Sequence, residues 1–359
     1  MLVDKSDQLF KPLIQSGKLI GLAVGIVEQG EFHLHYYGST GIETNQKISE
    51  DSLFEIGSIT KVFTTLLTVK ILDEYSIDIE NFIHPYLPKV PAGEKHYPNI
   101  TFKELLTHTS GLSNNPESII KFNKVGIGPL RISLPVTLSN NAIANRACEI
   151  FEKYDAEMIY QKLLTIKLKN KSFSYSNFGM GLLGHLLELI TGQPYNQLLL
   201  QYILKPLKME STYIAHKQLN PPATIQGYSR KKKPRPPFVA QSLQGCGMIR
   251  STPADMMKFL LANLNLITDN SIPEIATTHE VLTDVKSWLT TLLRKQLKIG
   301  MGWFINKDGI VFHDGGTLGF SSFIGFHKEK QKGIFLLSNC CNPFVITPFA
   351  LKLLSSNNE

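Results

Sequence analysis

Phe54-Glu55-Ile56-Gly57-Ser58-Ile59-Thr60-Lys61, running on into Val62-Phe63-Thr64-Thr65-Leu66-Leu67, is the stretch from which the rest of the chain can be read. A short apolar run meets a glycine and then an unbroken helix-forming segment, so the pattern predicts a strand and turn that pass directly into a helix. Ser58 and Lys61 stand at i and i+3, on one face of the first helical turn. That turn also carries unpaired N–H groups and the partial positive charge of a helix N-terminus. A nucleophilic serine needs a base within reach and donors for the oxyanion it creates.

The Ser-x-x-Lys triplet alone has little specificity. Ser118-Ile119-Ile120-Lys121 and Ser229-Arg230-Lys231-Lys232 match it as well. The first follows Asn-Asn-Pro and the second sits in a basic, proline-rich run, so neither has the strand, turn and helix around it. What distinguishes Ser58 is its setting.

A serine and lysine also need a second proton-handling group and a polar residue to hold the lysine. Tyr175-Ser176-Asn177 offers both. A tyrosine acts as base only if a cation lowers its pKa from about 10, and Lys61 is the expected cation. Asn177 is expected to orient Lys61 and to donate to a substrate amide. Tyr97-Pro98-Asn99 repeats the spacing, but its proline forces an extended turn. A third piece is Val311-Phe312-His313-Asp314-Gly315-Gly316, where a strand is expected to end in a glycine-rich turn. There Gly315 lets a substrate backbone approach. The N–H of Gly316 is expected to pair with that of Ser58 as an oxyanion hole, with His313 facing a substrate carboxylate.

The bulk numbers narrow the class. At 359 residues and 43% hydrophobic, the chain buries a large core as one domain or as two lobes sharing a cleft. A net charge of +7 is too diffuse for a nucleic-acid partner, and the dense run Arg230-Lys231-Lys232-Lys233-Pro234-Arg235-Pro236-Pro237 reads as a solvated loop tip. Cys148, Cys246, Cys340 and Cys341 form no Cys-x-x-Cys pattern and read as buried thiols. The N-terminus lacks the basic start and apolar run of a signal peptide. It reads as a cytoplasmic chain, or as an exported one whose leader was removed. The apolar run from Leu19 to Val27 is too short to span a bilayer, so no transmembrane segment is expected.

In chain order the pattern predicts a helix over residues 4–16 and a hairpin from Leu19–Val27 and Phe32–Tyr37. His33 and His35 share one face of the second strand, with no third metal ligand nearby, so no metal site is expected. Helical signals follow at Val62–Tyr75, Thr101–Thr107, Ala142–Leu164, Gly179–Ile190, Tyr195–Leu204 and Pro253–Leu264. Strands return at Gly300–Ile305, Ile310–His313, Ser321–Phe326 and Gly333–Ser338, and a helix closes the chain at Pro343–Leu354. The fold class is α/β in the α+β sense. Both chain ends (1–57 and 296–359) build one antiparallel sheet, and a mostly helical region (58–295) is inserted between them, all within one catalytic domain. Gly179-Met180-Gly181-Leu182-Leu183-Gly184 mimics a dinucleotide fingerprint without its preceding strand and later acid, and reads as close helix packing. His185 and Glu188 on that helix read as structural.

The three motifs, in this order, resemble the serine hydrolases of the class C β-lactamase and penicillin-binding-protein group. The likeness extends to Ile100-Thr101-Phe102-Lys103-Glu104-Leu105-Leu106-Thr107-His108-Thr109-Ser110-Gly111-Leu112, to the residues following Tyr175, to Lys205-Pro206-Leu207-Lys208-Met209 and to Ser251-Thr252-Pro253-Ala254-Asp255-Met256. The resemblance implies a β-lactamase/transpeptidase-like fold, Ser58 as acylated nucleophile and Lys61 with Tyr175 as proton-transfer pair. It implies Asn177, His313, Gly315 and Gly316 as substrate-binding residues, and no metal or organic cofactor. The implied substrate is a D-alanyl peptide or β-lactam bearing a carboxylate. The chain departs from the group's lactamases in having no Lys-Thr-Gly. His313-Asp314-Gly315 stands there instead, which is closer to the carboxypeptidase, D-aminopeptidase and AmpH-like branches. A second departure is Lys169-Asn170-Lys171-Ser172, where relatives carry Pro-Gly, and it puts the loop shape there in question. An esterase on the same scaffold and a non-catalytic penicillin-binding sensor stay open on the residues, and the oligomeric state is not legible.

Overall fold

A computed structural model of the chain describes residues 2–93, 95–117, 141–214, 225–267, 272–285 and 296–356. The Ser118 triplet lies outside these. Among the described residues the main sheet has eight antiparallel strands. Their order is Glu31–Gly38, Gly21–Glu28, Lys332–Ser338, Ser321–His327, Val311–Gly316, Phe304–Asn306, Leu297–Ile299 and Thr283–Asp284. The first two form the expected hairpin, closed by Gln29 and Gly30 with φ of 56° and 82°. Both are left-handed, as a two-residue turn that follows strand twist requires.

Strand Gly21–Glu28 shows why its sequence is apolar without alternation. Leu22, Val24 and Ile26 pack into one core beneath helices Leu2–Gln15 and Pro343–Ser355, while Ala23 and Val27 pack into the other. A strand covered on both faces has no polar face to show. The larger core lies between the sheet and the helical region.

The helix Thr60–Glu74 runs through that core and is buried all round, from Thr60 to Thr68 without interruption. Its Thr60, Lys61, Thr64, Thr65 and Thr68 share one face, and that polar face is buried with the rest. A small second sheet pairs Phe54–Glu55 with Ile249–Ser251 and so fixes the approach to Ser58. Helix Asn177–Thr191 carries the glycines of the false nucleotide motif. A Cβ on Gly181 would lie 2.8 Å from Leu243 Cβ, and one on Gly184 3.2 Å from Gly245 Cα. These glycines let the turn Gln244–Cys246 sit against the helix, as the packing reading expects.

Four local expectations are corrected. Ala142–Leu164 is two helices, Asn141–Lys153 and Ala156–Thr165, because Asp155 caps the second by accepting from Met158 N–H. Gly300–Ile305 is not one strand, since Gly302 turns with φ 75° between strands Leu297–Ile299 and Phe304–Asn306. The edge strand Thr283–Asp284 comes from inside the stretch assigned to the helical region. Cys148 is half-buried, whereas Cys246, Cys340 and Cys341 are buried, and all four thiols are free. The basic run is exposed from Arg230 to Pro234, while Arg235 is buried. Among the described residues no helix is long and apolar enough to cross a membrane.

Candidate functional site

Ser58 lies in a single 3-10 turn, Gly57–Ile59, that feeds into helix Thr60–Glu74. Gly57 makes the turn with φ +52°, a left-handed conformation that a side chain disfavours. Lys61 follows on the same face. Its Nζ donates to Ser58 Oγ at 3.0 Å and to the Cys246 carbonyl at 2.5 Å. The side chain is fully buried, and burial pulls its pKa down to about 8, against the opposing pull of Cys246 and Asp314. A buried amine is poorer at holding its proton.

Tyr175 reaches the same serine. Its hydroxyl shares a hydrogen bond with the Ser58 side chain, and Lys61 Nζ lies 5.0 Å from its ring centroid. The expectation that Lys61 lowers the tyrosine pKa is corrected. Burial outweighs the Ser58 hydrogen bond and pushes the hydroxyl well above its ordinary value. The group nearer to neutral pH is the lysine, not the tyrosine.

The segment bearing Tyr175 is fastened to residues 104–115. Lys171 pairs with Glu104 at 2.6 Å, Lys169 N–H donates to the Gly111 carbonyl at 2.9 Å, and Ser174 N–H to the His108 carbonyl at 2.8 Å. Ser176 Oγ donates to the Ser113 carbonyl at 2.7 Å, and Phe178 N–H to the Asn114 carbonyl at 3.0 Å. Lys169 and Lys171 therefore hold the loop whose missing Pro-Gly the sequence singles out. Thr101 and Glu104 form a capping box that starts the first helix of this region, Phe102–Leu106.

The expected partner of Asn177 is corrected. Its Nδ2 donates to Asn115 Oδ1 at 3.2 Å, while Lys61 is oriented by Ser58 Oγ and by the Cys246 carbonyl. The strand Val311–Gly316 continues through the third motif instead of ending before it. Its Gly315 is packed against the serine turn, where a Cβ would stand 2.2 Å from the Ile56 carbonyl oxygen and 3.1 Å from Ser58 N. Gly316 N lies 2.8 Å from where a Cβ on Gly57 would be, so the backbones of Gly57-Ser58 and Gly315-Gly316 run side by side.

His313 shares the Gly315 face of the strand and is 1% exposed, with its ring centroid 6.3 Å from that of Tyr175. Its Nδ1 lies 2.6 Å from the Asp314 carbonyl oxygen. A carbonyl only accepts, so Nδ1 carries the proton. Burial, then Lys61, lowers the His313 pKa to about 3, which leaves Nε2 bare, buried and, among the described residues, without a partner. The expectation of a carboxylate-binding donor is corrected: the ring presents an acceptor. Asp314 points the other way along the strand and accepts from Thr347 Oγ1 at 2.9 Å.

Residues the sequence did not single out for the site are Cys246, Asn115 and His108. Cys246 contributes a main-chain carbonyl, which no residue pattern reports. The decoys have ordinary partners. Ser229 Oγ accepts from Lys233 N–H, and His185 is bonded to Tyr160 and Glu188, each at 2.8 Å. No group of three or more metal-ligating side chains occurs among the described residues.

Residues 6–348 match the Beta-lactamase family, and the chain belongs to it. A β-lactamase of Providencia stuartii is 26% identical over 73% of this chain and 60% of its own length. Protein flp of Staphylococcus aureus is 26% identical over 94% of this chain and 63% of its own. The chain thus spans less than two-thirds of the length of these relatives. Among solved structures, the D-alanine carboxypeptidase AmpC from Burkholderia cenocepacia superposes with a TM-score of 0.76 at 21% identity, covering 99% of both chains. A class C β-lactamase in complex with cefoxitin gives 0.77 at 20% identity, again covering 99% of both. The fold is therefore the β-lactamase/transpeptidase-like fold, with an antiparallel sheet and a helical region.

Proposed function

We propose that this protein is a serine hydrolase that works through an acyl-enzyme on Ser58. The observation that carries the reading is the buried Lys61 amine, 3.0 Å from Ser58 Oγ, with its pKa lowered to about 8. In its neutral form Lys61 takes the Ser58 proton as Oγ attacks an amide or ester carbonyl. The N–H groups of Ser58 and Gly316 receive the oxyanion. Tyr175, protonated and bonded to the serine, passes a proton from the Lys61 side to the leaving group. Water then releases the acyl group by the reverse path. Asn177, two residues after Tyr175 and bonded to Asn115, is the candidate to meet the substrate amide. The relatives' names favour a D-alanyl peptide or a β-lactam as substrate. Parallel assays of a D-alanyl-D-alanine peptide, a chromogenic cephalosporin and a short chromogenic ester test this. At least one should turn over, and Ser58→Ala should lose about a thousandfold or more. Turnover of a substrate that survives Ser58→Ala sinks the proposal.

A second reading, an esterase for acyl groups without a carboxylate, is favoured by one feature, the neutral His313. Its bare Nε2 accepts a hydrogen bond and offers no charge to an anion. On this reading the ester is the best of the three substrates, and His313→Lys shifts preference towards the carboxylate-bearing ones. A wild type that prefers the D-alanyl peptide tenfold or more rules it out.

A further inference from the structure

His108 sits at the start of the loop after helix Phe102–Leu106, in a part of the chain that the proposed chemistry does not use. Its backbone is left-handed, with φ +58°. Such a conformation is uncommon for a residue other than glycine, although Asn, Asp and His are enriched in it. Its ring is 1% exposed and lies 4.6 Å, centroid to centroid, from that of Tyr175, tilted by 40°. Two hydrogen bonds bracket the tyrosine. Ser174 N–H donates to the His108 carbonyl at 2.8 Å, and Ser176 N–H donates to His108 Nδ1 at 3.2 Å.

We infer that His108 is a positioning residue for Tyr175, gripping the residue before it and the residue after it while packing on its ring. The inference rests on the reading of Tyr175 as proton carrier. Because Nδ1 accepts from a backbone N–H, it must be unprotonated, and the ring's proton is on Nε2. Among the described residues Nε2 is buried without a partner, so the hydrogen bond from Ser176 N–H is the one that sets the ring's orientation there. The groups around it keep it neutral. Burial, then Lys61 and His313, hold its pKa well below the ordinary histidine value. A positive charge here would remove the acceptor that Ser176 uses and would face the Lys61 amine. The left-handed turn serves the same end, since it aims the carbonyl and the ring of one residue at two positions on a neighbouring segment.

The pre-steady-state rate of Ser58 acylation, measured with the best of the substrates above, tests this in a double-mutant cycle with Tyr175→Phe. His108→Ala should slow acylation on the order of 10- to 100-fold with KM little changed, as a displaced catalytic group does. His108→Asn should recover most of the loss. Its Oδ1 can accept where Nδ1 does, and asparagine tolerates a left-handed backbone. His108→Gln, which places its oxygen one bond further out, should not recover it. If His108→Ala fails to fold, the comparison of Asn with Gln carries the test. In the Tyr175→Phe background the His108 change should cost little more, because the group it positions is gone. Full additivity of the two losses, or equal rates for the Asn and Gln variants, overturns the inference while leaving the role of Tyr175 intact. An unchanged rate in Tyr175→Phe alone overturns the proton-carrier reading and the inference with it.

Discussion

The lysine base makes a pH prediction whose size follows from its burial. With a pKa of about 8 in place of the ordinary 10.5, the neutral fraction at pH 7 is about 9% instead of about 0.03%, a gain of about 300-fold. Between pH 6 and pH 8 the neutral fraction rises about 50-fold, and above pH 8 only about twofold more remains. The neighbouring histidines, tyrosine and thiol are displaced away from that window. His313 is held at about 3, Cys246 is pushed up to about 11, His108 is held well below the ordinary histidine value, and Tyr175 is pushed well above the ordinary tyrosine value. The acylation rate of Ser58, followed by rapid-quench intact-mass measurement from pH 6 to pH 10, should therefore rise with unit slope and level off near pH 8. Lys61→Arg keeps its charge throughout this range, so it should be slow and show no such rise. A wild-type rate that is flat from pH 6 to pH 8, or that inflects near 10, would refute neutral Lys61 as the base.

Three further outcomes follow from the packing around the site. Lys61 has a folded pKa below its unfolded value, so burying its charge costs about 3 kcal/mol at pH 7, a cost relieved as pH rises from about 8 to about 10.5. Lys61→Met removes that cost but leaves the Cys246 carbonyl unpaired. The variant should be inactive yet no less stable than wild type at pH 7, and calorimetry should show wild type gaining on it up to about pH 10.5. Gly315→Ala should lower acylation about 100-fold and cost about 1–3 kcal/mol in urea unfolding, because its Cβ meets the Ile56 carbonyl and Ser322 Oγ, each at 2.2 Å. Arg250→Met should cost about 3–5 kcal/mol in the same assay, since it strands the buried Glu55 carboxylate 3.4 Å away. Adding Glu55→Leu should return part of that loss, and a double variant less stable than the single one would contradict this account of the pair.

The parts of this protein that were legible in its sequence are those fixed by neighbours along the chain. Ser58 and Lys61 meet because they are three residues apart on a helical start, and the hairpin at Gln29-Gly30 forms because its two strands and turn are contiguous. The strand-and-helix setting separated Ser58 from Ser229, whose hydroxyl is tied up in its own turn. What could not be read is carried by tertiary contacts. The acceptor that holds Lys61 is the carbonyl of Cys246, 185 residues away, and any residue type can supply a carbonyl. The protonation of His313 depends on the Asp314 carbonyl beside it, and the lysine and tyrosine pKa values depend on burial. His108 lies within a stretch quoted for its resemblance, but its link to Tyr175 needs a left-handed turn and a second segment folded against it.

Covalent capture of Ser58 tests the central claim most directly. Intact-mass spectra of wild type and Ser58→Ala are compared after brief and long exposure to a penicillin and, separately, to a chromogenic ester. The account predicts an adduct of the acyl group's mass on wild type with at least one of them, mapped to the peptide containing Ser58 and absent from Ser58→Ala. An adduct that persists in Ser58→Ala, or none on wild type with either reagent and no product released, would contradict it.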